Sequence, residues 1–364
     1  SRTVYLIPPT RLPMTGTGAE ARVDRGLAIP MIRRAVEGGV TYIDTAVGYC
    51  NQDSQRVVGE ALKGWRDRVV LSTKNHYYGE DEKEWWRLLE QSLERLQVSS
   101  IDIYNHHGIT WKAYTEQVAP RVAQWMLKAQ RQGLIKHICC SFHDTNEALL
   151  NLVKSGYPSV VTLQYNLLDR QLEEGIAAAH EAGIGVVVMG PVSGGRLGDN
   201  SAVLNGLVPG IGRVPELALR FVLANPGVTV ALSGMGTLPM VEENVKICAD
   251  AVSLGAADKE AITSHLERLK KMADLYCTGC NYCMPCPQGV AIPRIFECFN
   301  RGRVYDLWGS ARQGYAAIGA SEWDKDKNAD ACTECGLCEG KCPQHIKIRA
   351  QLKEAAAALR APRD

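Results

Sequence analysis

The sequence predicts an α/β protein, with a (β/α)8 TIM barrel followed by a smaller, mainly helical domain. Short strand-like runs alternate with amphipathic helical patterns over about 250 residues, the usual length of such a barrel. The strand-like runs are almost wholly apolar, as in residues 185–189 and 228–232, which is typical of parallel strands buried on both faces. The 364-residue chain continues well beyond this alternation. We therefore expect the barrel over residues 1–255 and the helical domain over residues 256–364.

Eight strands and eight helices are predicted in the barrel from the spacing of apolar and β-branched residues. The helices are predicted from apolar residues that recur with the helical period. For example, Trp85, Leu88 and Leu89 fall on one helix face. The predicted strands are 4–7, 40–44, 69–73, 101–105, 135–141, 159–164, 185–189 and 228–232. The predicted helices are 27–38, 53–64, 82–97, 111–132, 144–155, 169–182, 214–224 and 239–249. A doubly wound open sheet is the alternative architecture for the same alternation.

The composition is that of an ordinary globular protein, with 46% apolar and 22% charged residues. A net charge of +1 gives no indication of binding to nucleic acid or to an anionic membrane. No apolar run approaches the roughly 20 residues that span a bilayer, and no signal peptide is visible in a chain that opens at Ser1. Thirteen cysteines in a chain of this size, many at C-x-x-C spacing, favour metal ligands over disulfides. These features predict a cytoplasmic protein.

Four ionisable side chains follow three consecutive strand-like runs, where the active sites of parallel barrels lie. Asp44 ends one run and Tyr49 lies in its loop, Lys74 closes V-V-L-S-T-K, and His107 closes I-D-I-Y-N-H-H. A tyrosine hydroxyl has an unperturbed pKa of about 10, which a neighbouring ammonium group lowers. We expect Lys74, held by Asp44, to lower the pKa of Tyr49, so that Tyr49 donates a proton to a carbonyl oxygen oriented by His107. Each residue alone also has an ordinary alternative, such as a helix cap, rim packing, a solvated charge or a bonded core histidine.

In these residues the sequence resembles the aldo-keto reductases, from about residue 40 to residue 247. Asp44-Thr-Ala and Tyr49 are similar to the D-T-A-x-x-Y element of that family. Lys74 follows the corresponding strand, and His107 falls at the family's catalytic position. His106 stands where the family usually has an apolar residue. The resemblance implies that Asp44, Tyr49, Lys74 and His107 are catalytic, with a small-molecule carbonyl or alcohol as the substrate.

The same resemblance implies a nicotinamide cofactor, NADP(H) or NAD(H), bound across the barrel without a Rossmann fold. The last strand leads into S-G-M-G-T and then a helix, and small residues at a helix N-terminus suit a phosphate group. Met189 stands where the family commonly has a stacking aromatic, and residues 233–244 hold no Arg or Lys for a 2′-phosphate. An ordinary turn with a capped helix is the alternative. The implied contacts are Ser141 and Gln164 to the nicotinamide amide, Gly234, Gly236 and Thr237 to the phosphate, and Glu243 and Asn244 to the adenine.

Eight of the thirteen cysteines form two groups near the C-terminus. The second group, with its following proline, matches the bacterial ferredoxin pattern C-x2-C-x2-C-x3-C-P, whereas the first is one residue shorter before its last cysteine. Paired zinc sites are the alternative, but they usually have separate C-x2-C pairs joined by a longer loop. The groups are Cys277, Cys280, Cys283 and Cys286, and Cys332, Cys335, Cys338 and Cys342.

The two groups resemble those of dicluster ferredoxins, which makes the C-terminal part a helical 4Fe-4S ferredoxin-like domain. The resemblance implies two [4Fe-4S] clusters, each held by three cysteines of one group and the last cysteine of the other. The implied sets are Cys277, Cys280, Cys283 and Cys342, and Cys332, Cys335, Cys338 and Cys286. A charged helix is expected to end near residue 276, and an alanine-rich helix is expected over residues 348–359.

The chain as a whole resembles an iron–sulfur branch of the aldo-keto reductases. This predicts an oxidoreductase whose clusters exchange electrons with the barrel site or with a redox partner protein. A nicotinamide transfers two electrons as hydride and each cluster passes one, so the exchange calls for a converter such as a flavin, for which the sequence shows no motif. Two alternatives stay open: an NAD(P)H-dependent carbonyl reductase with structural clusters, and an electron-transfer or regulatory protein with a non-catalytic barrel. The loop 191–213, rich in Gly and Asn, is expected to form a lid.

Overall fold

The computed structural model describes residues 5–6, 12–249, 254–274, 277, 279–321 and 323–360. The chain divides into two compact units. One comprises the chain up to residue 194 with residues 218–253, and the other comprises residues 195–217 with the chain from residue 254. Residues 195–217 were expected in the barrel domain, but in the structure they belong to the second unit. The domain boundary at residues 255 and 256 stays a prediction.

A parallel sheet of eight strands forms the centre of the first unit. The strands are β1 (Tyr5–Leu6), β4 (Tyr42–Asp44), β5 (Val70–Asn75), β6 (Ile101–Ile109), β7 (Ile135–Phe142), β8 (Val160–Gln164), β9 (Gly185–Met189) and β10 (Val230–Ser233), and an antiparallel hairpin of β2 (Met14–Thr15) and β3 (Arg22–Val23) follows β1. The sheet order is β1-β10-β9-β8-β7-β6-β5-β4. Cα atoms of the edge strands β1 and β4 approach within 8 Å of each other, so the sheet nearly closes. This confirms the predicted barrel and excludes the open sheet.

Helices alternate with these strands along the chain, as predicted. They are α1 (Arg25–Glu37), α2 (Tyr49–Gln52), α3 (Ser54–Leu62), α4 (Glu82–Leu96), α5 (Trp111–Ala113), α6 (Ala123–Arg131), α7 (Asn146–Lys154), α8 (Glu173–Glu181), α9 (Val214–Ala224) and α10 (Leu238–Ala249). Between α5 and α6 the chain forms a π-helical segment, Tyr114–Val122, which contains Pro120. Proline has no N–H to donate within a helix, so a local change in the hydrogen-bond pattern is expected there. Among the described residues, no helix is long and apolar enough to cross a membrane.

The strand β6 is longer than predicted and changes register near its end. It continues to Ile109, and its pairing with β7 is irregular between His106 and Ile109. Gly108 lies in this irregular part with a φ of 75°, which a glycine adopts without the steric cost that a side chain brings. The predicted strand ended at residue 105, before His107. In the structure His107 lies within β6, on the same strand as Asn105.

The second unit is mainly helical, as predicted. Its helices are α11 (Ala256–Asp274), α12 (Ile292–Tyr305), α13 (Trp308–Ala316) and α14 (Ile348–Arg360). Helix α12 packs against α13 and α14, and Ile295, Phe296 and Tyr315 are buried in the shared core. Gly302 of α12 allows this close packing, because a Cβ atom there would lie 2.3 Å from the ring of Trp308.

Residues 195–217 are held in the second unit by hydrogen bonds to the corner between α12 and α13. Ser201 Oγ donates to the carbonyl oxygen of Tyr305 at 2.7 Å. Asp199 Oδ2 accepts from the backbone N–H of Ser310 at 2.7 Å, which satisfies a donor in the first turn of α13. The stretch expected to be a lid is therefore, over most of its length, a structural part of the cysteine-rich unit.

We predict that Gly59→Ala destabilises the barrel by about 1–3 kcal/mol, the usual cost of overpacking. Gly59 lies on α3, where a Cβ atom would come within 2.7 Å of the backbone oxygen of Arg95 on α4. The free energy of unfolding, measured with urea, tests this. Gly48→Ala is the matched control, because Gly48 has a φ of −85° and open space around its Cβ position. Equal stability of the two variants would show that the α3–α4 contact can relax.

Candidate active site and thiol-lined cavities

Three neighbouring barrel strands bring together the four residues predicted to be catalytic. Asp44 ends β4, Lys74 lies near the end of β5, and His107 lies near the end of β6. Tyr49 follows β4 in a short loop. The Nζ atom of Lys74 lies 5.1 Å from the centroid of the Tyr49 ring, and the centroid of the His107 ring lies 5.8 Å from the same point. The four side chains therefore form one cluster at the carboxyl ends of the strands.

Lys74 and Asp44 form a buried ion pair in this cluster, with each side chain only 3% exposed. Lys74 Nζ donates to Asp44 Oδ2 and, at 2.9 Å, to the carbonyl oxygen of Thr45. Burial lowers the pKa of Lys74, but the Asp44 carboxylate and Tyr49 together outweigh burial and the net shift is upward. The ammonium group is therefore charged at neutral pH.

Tyr49 keeps its proton in this geometry. Burial raises the pKa of its hydroxyl above the usual value, whereas the Lys74 ammonium group lowers it by less. Lys74 lowers the pKa of Tyr49 as expected, but burial outweighs this effect and the net shift is upward. Sequence alone does not show how far the ring is buried. A protonated phenol beside a fixed ammonium group is the form that can act as a general acid.

The short segment α2, which begins at Tyr49, has non-helical backbone angles and forms a loop. Cys50, Asn51 and Gln52 all have positive φ values, of 51°, 53° and 66°, in the left-handed region that non-glycine residues seldom adopt. The Asn51 side chain holds this loop, because its Nδ2 donates to the carbonyl oxygen of Gly18 at 2.9 Å. The position of Tyr49 thus depends on a strained loop that the rest of the structure has to maintain.

The two adjacent histidines have different surroundings. Nε2 of His106 lies 2.8 Å from the hydroxyl of Tyr157, and burial lowers the pKa of His106 to about 3. His107 instead contacts Tyr49, and burial, with a smaller effect of Lys74, lowers its pKa to about 4. Both rings are therefore neutral at pH 7. A neutral ring at His107 can donate one N–H to an oxygen near Tyr49.

Two polar residues beneath the cluster were not predicted. Ser72 Oγ donates to Asp44 Oδ1 at 2.7 Å, and Asn105 Nδ2 donates to Ser72 Oγ at 2.9 Å. Thr162 Oγ1 extends the network by donating to Asn105 Oδ1 at 3.3 Å. Ser72 and Asn105 stand two residues before Lys74 and His107 on the same strands. The two-residue period of side chains along a strand was the signal that could have identified them.

The two residues implied in binding the nicotinamide amide lie at the ends of two other strands. Ser141 is buried near the end of β7, and Gln164 ends β8. Gly190 follows β9 with a φ of 65°, and a Cβ atom there would lie 2.6 Å from Gln164 Nε2. A larger residue here would displace the Gln164 amide and would have to adopt a backbone conformation that favours glycine. The Met189 side chain is half-buried against the barrel core.

The loop after β10 leads directly into the first turn of α10. Gly234 and Gly236 lead to Thr237, whose hydroxyl accepts from the backbone N–H of Met240 at 3.4 Å in the first turn of α10. Glu243 and Asn244 lie on α10. Asn244 is buried, and its Nδ2 donates to Ser233 Oγ at 3.2 Å. This contact joins the helix to the strand end, so Asn244 has a structural role whatever else it binds.

Two cavities in the second unit are lined by cysteine side chains. The larger is bordered by Cys286, Cys332, Cys335 and Cys338, and Cys283 also touches it. The smaller is bordered by Cys277, Cys280, Cys283 and Cys342. In the described part of the chain, no three His, Cys, Asp or Glu side chains converge as closely as a single metal ion requires. The thiols instead surround volumes, which fits a cluster of several atoms at each place.

Comparison with known proteins identifies the class that this fold and site define. A model of the aldo/keto reductase family matches residues 14–204, which is more than half of the chain, and a model of a 4Fe-4S dicluster domain matches residues 276–347. The protein is an oxidoreductase: it belongs to the aldo/keto reductase family and carries a C-terminal 4Fe-4S dicluster domain.

Individual relatives match the barrel. The chain is 25% identical over 280 residues to the uncharacterized oxidoreductase YqkF of Bacillus subtilis. The aligned region covers 67% of this chain and 89% of that protein. The aldo-keto reductase AKR11C1 from Bacillus halodurans, in its holo form, superimposes with a TM-score of 0.61 at 26% identity, over 72% of this chain and 91% of that one. An aldo/keto reductase from Klebsiella pneumoniae in complex with NADP and acetate gives a TM-score of 0.55 at 26% identity, over 67% and 85%.

We predict that Asp44→Asn lowers the free energy of unfolding at pH 7 by about 3–5 kcal/mol, because it leaves a buried ammonium group without its counter-ion. Without the carboxylate, burial lowers the pKa of Lys74, so the folded variant binds fewer protons than the unfolded chain above that pKa. Its stability then rises with pH up to about 10. In the wild type the pKa of Lys74 is raised, so no such rise is expected.

Urea unfolding at pH 7 and at pH 9.5 measures both effects. The double variant Asp44→Asn/Lys74→Met removes the charge as well and is expected to recover much of the loss at pH 7. An Asp44→Asn variant as stable as the wild type at pH 7 would contradict the assignment of a charged, buried Lys74.

Proposed function

We propose that the barrel reduces a small-molecule carbonyl, or oxidises the corresponding alcohol, with Tyr49 as the general acid or base. The observation that carries this proposal is the position of Lys74. Its ammonium group, paired with Asp44, lies 5.1 Å from the Tyr49 ring. The pair stays charged in a buried site and stabilises the phenolate that forms when Tyr49 gives up its proton. Tyr49 is thus a weak acid at rest and a stronger one only as the reaction proceeds.

The other residues of the cluster orient the reacting oxygen. His107 is neutral because burial keeps its pKa near 4, so it donates one N–H without adding a positive charge. Ser72 holds the Asp44 carboxylate, and Asn105 holds Ser72, so both act on Tyr49 only through Asp44 and Lys74. We assign Asp44 and Lys74 to activation, Tyr49 to proton transfer, and His107 to binding of the carbonyl oxygen.

The cofactor that we propose for the barrel is a nicotinamide dinucleotide, NADP(H) or NAD(H), which supplies or accepts the hydride when bound. The NADP complex of the Klebsiella pneumoniae relative supports this by analogy. In this chain Ser141 and Gln164 would hold the carboxamide, and the Gly234–Thr237 turn would hold a phosphate group. Glu243 and Asn244 would bind the adenine, with Asn244 already oriented by Ser233.

We further propose two [4Fe-4S] clusters in the second unit, which exchange single electrons when bound. Cys277, Cys280, Cys283 and Cys342 would hold one cluster, and Cys286, Cys332, Cys335 and Cys338 the other. The support is that each set lines its own cavity. The last cysteine of each sequence group borders the cavity of the other group, which is the interleaved pattern of two-cluster ferredoxins.

We predict that Tyr49→Phe lowers kcat for carbonyl reduction by about 10²–10⁴, the usual contribution of a general acid. The substitution keeps the ring and removes only the hydroxyl, so the Kd for NADPH is expected to stay unchanged. Steady-state NADPH and NADH consumption with a panel of small aldehydes and ketones measures the first effect, and fluorescence titration measures the second.

Tyr104→Phe is the matched control for this experiment. Tyr104 lies on β6 but packs edge-on against Trp85 of α4, with ring centroids 6.0 Å apart. The Tyr104→Phe variant is expected to reduce carbonyls at the wild-type rate. If Tyr49→Phe retained wild-type turnover of every carbonyl, the proposed proton transfer would be wrong. If the wild type bound NADPH but reduced no carbonyl, the non-catalytic alternative would gain support.

We predict that Cys280→Ala and Cys335→Ala each remove about half of the bound iron, because each breaks only one ligand set. Iron and sulfide analysis of anaerobically purified full-length protein measures this. Adding NADPH to the wild type then separates the roles of the clusters. Bleaching of their visible absorption would support electron exchange with the barrel, and carbonyl turnover without bleaching would support structural clusters. Unchanged iron in both variants would refute the proposed ligand sets.

A further inference from the structure

The two thiol-lined cavities differ in the charge of the side chains around them. Lys341 and Arg349 border the larger cavity, which we name cavity B, together with Thr333 and Gln288. The smaller, cavity A, is bordered among the described residues by no charged side chain. Its lining besides the cysteines is mostly apolar, including Ile292, Pro293, Phe296, Ile346 and Ile348. The same ligand type is thus set in two different electrostatic environments.

Arg349 is the cation most firmly fixed at cavity B. Its guanidinium packs over the loop that carries Cys335, since a Cβ atom on Gly336 would lie 3.5 Å from Arg349 Cζ. Its Nη2 donates to Glu339 at 2.9 Å, and the backbone N–H of Arg349 donates to the same carboxylate at 3.0 Å. Glu339 offsets part of the positive charge but also holds the guanidinium in place over the loop.

Cavity A has a basic neighbour that acts from outside its lining. Arg303 is electrostatically coupled to Cys277, but its guanidinium is directed to Asn300 Oδ1 at 2.7 Å. Asn300 in turn donates to the backbone carbonyl of Cys277 at 3.1 Å and not to a thiol. The contrast between the cavities therefore depends on charge in their direct lining: both linings contain apolar side chains, but only that of cavity B contains cations, Lys341 and Arg349.

A cluster gains one negative charge when it is reduced, so its potential depends on what surrounds it. Nearby cations and polar groups stabilise the reduced form and raise the reduction potential, whereas an apolar lining disfavours the added charge and lowers it. The lining of cavity B supplies two such cations, Lys341 and Arg349, whereas the described lining of cavity A supplies none. Resting on the two clusters proposed above, we infer that the cluster in cavity B has the higher potential and is reduced first, and that Arg349 is a residue that sets this potential.

An anaerobic redox titration of the full-length protein with dithionite, followed by EPR, tests the inference. The wild type is expected to show two one-electron steps at different potentials. Arg349→Gln should move the higher step downward and leave the lower step in place. Arg349→Lys keeps the charge and should retain most of the wild-type potential. Lys353→Gln is the matched control, because Lys353 pairs with Glu334 at 67% exposure and does not border cavity B.

Two further variants assign the steps independently of Arg349. Cys280→Ala, which breaks the set at cavity A, should keep the higher step, and Cys335→Ala should keep the lower one. A single potential for both clusters, the reverse assignment, or an unmoved higher step in Arg349→Gln would overturn the inference. Iron analysis of the same wild-type sample distinguishes a wrong assignment of the potentials from a wrong proposal of the clusters. A protein that binds much less iron than two clusters contain would refute the proposed clusters themselves.

Discussion

The buried pair of Lys74 and Asp44 is the interaction on which the barrel site depends. An ammonium group at 3% exposure is tolerable only beside a carboxylate, because desolvation of an unpaired charge costs several kcal/mol. The parallel register supplies that carboxylate, since Asp44 on β4 pairs with Ser72 on β5, and Ser72 stands two residues before Lys74. Asn105 on the next strand then holds Ser72. Strand order, register and site chemistry are thus parts of one constraint.

The sequence predicted the barrel well because its signals are local and repeated. Each strand is a short apolar run bounded by polar residues, and each helix has its own period, so no long-range information was needed. The candidate catalytic residues followed from the same logic, because parallel strands place their carboxyl ends together. Ser72 and Asn105 were missed although they share a strand face with Lys74 and His107. In the sequence alone, a polar residue that supports the site cannot be distinguished from any other polar residue of a strand. The distinction requires knowing its partners on other strands.

What the sequence could not predict depends on contacts between distant segments. Residues 195–217 belong with the cysteine-rich unit because Asp199 and Ser201 bond to the backbone near α12 and α13. Asp and Ser in a Gly-rich loop carry no sign of where their partners lie. The net upward shift of the Tyr49 pKa was not predicted for the same reason, because the burial that causes it is a property of the assembled loop. The nearby Lys74 was correctly identified, but its effect is the smaller of the two.

The cysteine-rich unit shows how one ligand pattern can serve two electronic roles. Its apolar core is small, and the cysteines pack against its edge, so metal ligation and folding are expected to be coupled. The core borders both cavities, and Ile292 of α12 lies in the lining of each, but only cavity B has a cation of α14, Arg349, in its lining. Helix α14 supplies the buried Ile348 to cavity A and the cation Arg349 to cavity B. Unequal potentials would therefore arise from where each cluster sits on a three-helix core, and an ordered pair of one-electron sites is the arrangement that gives electron flow a direction.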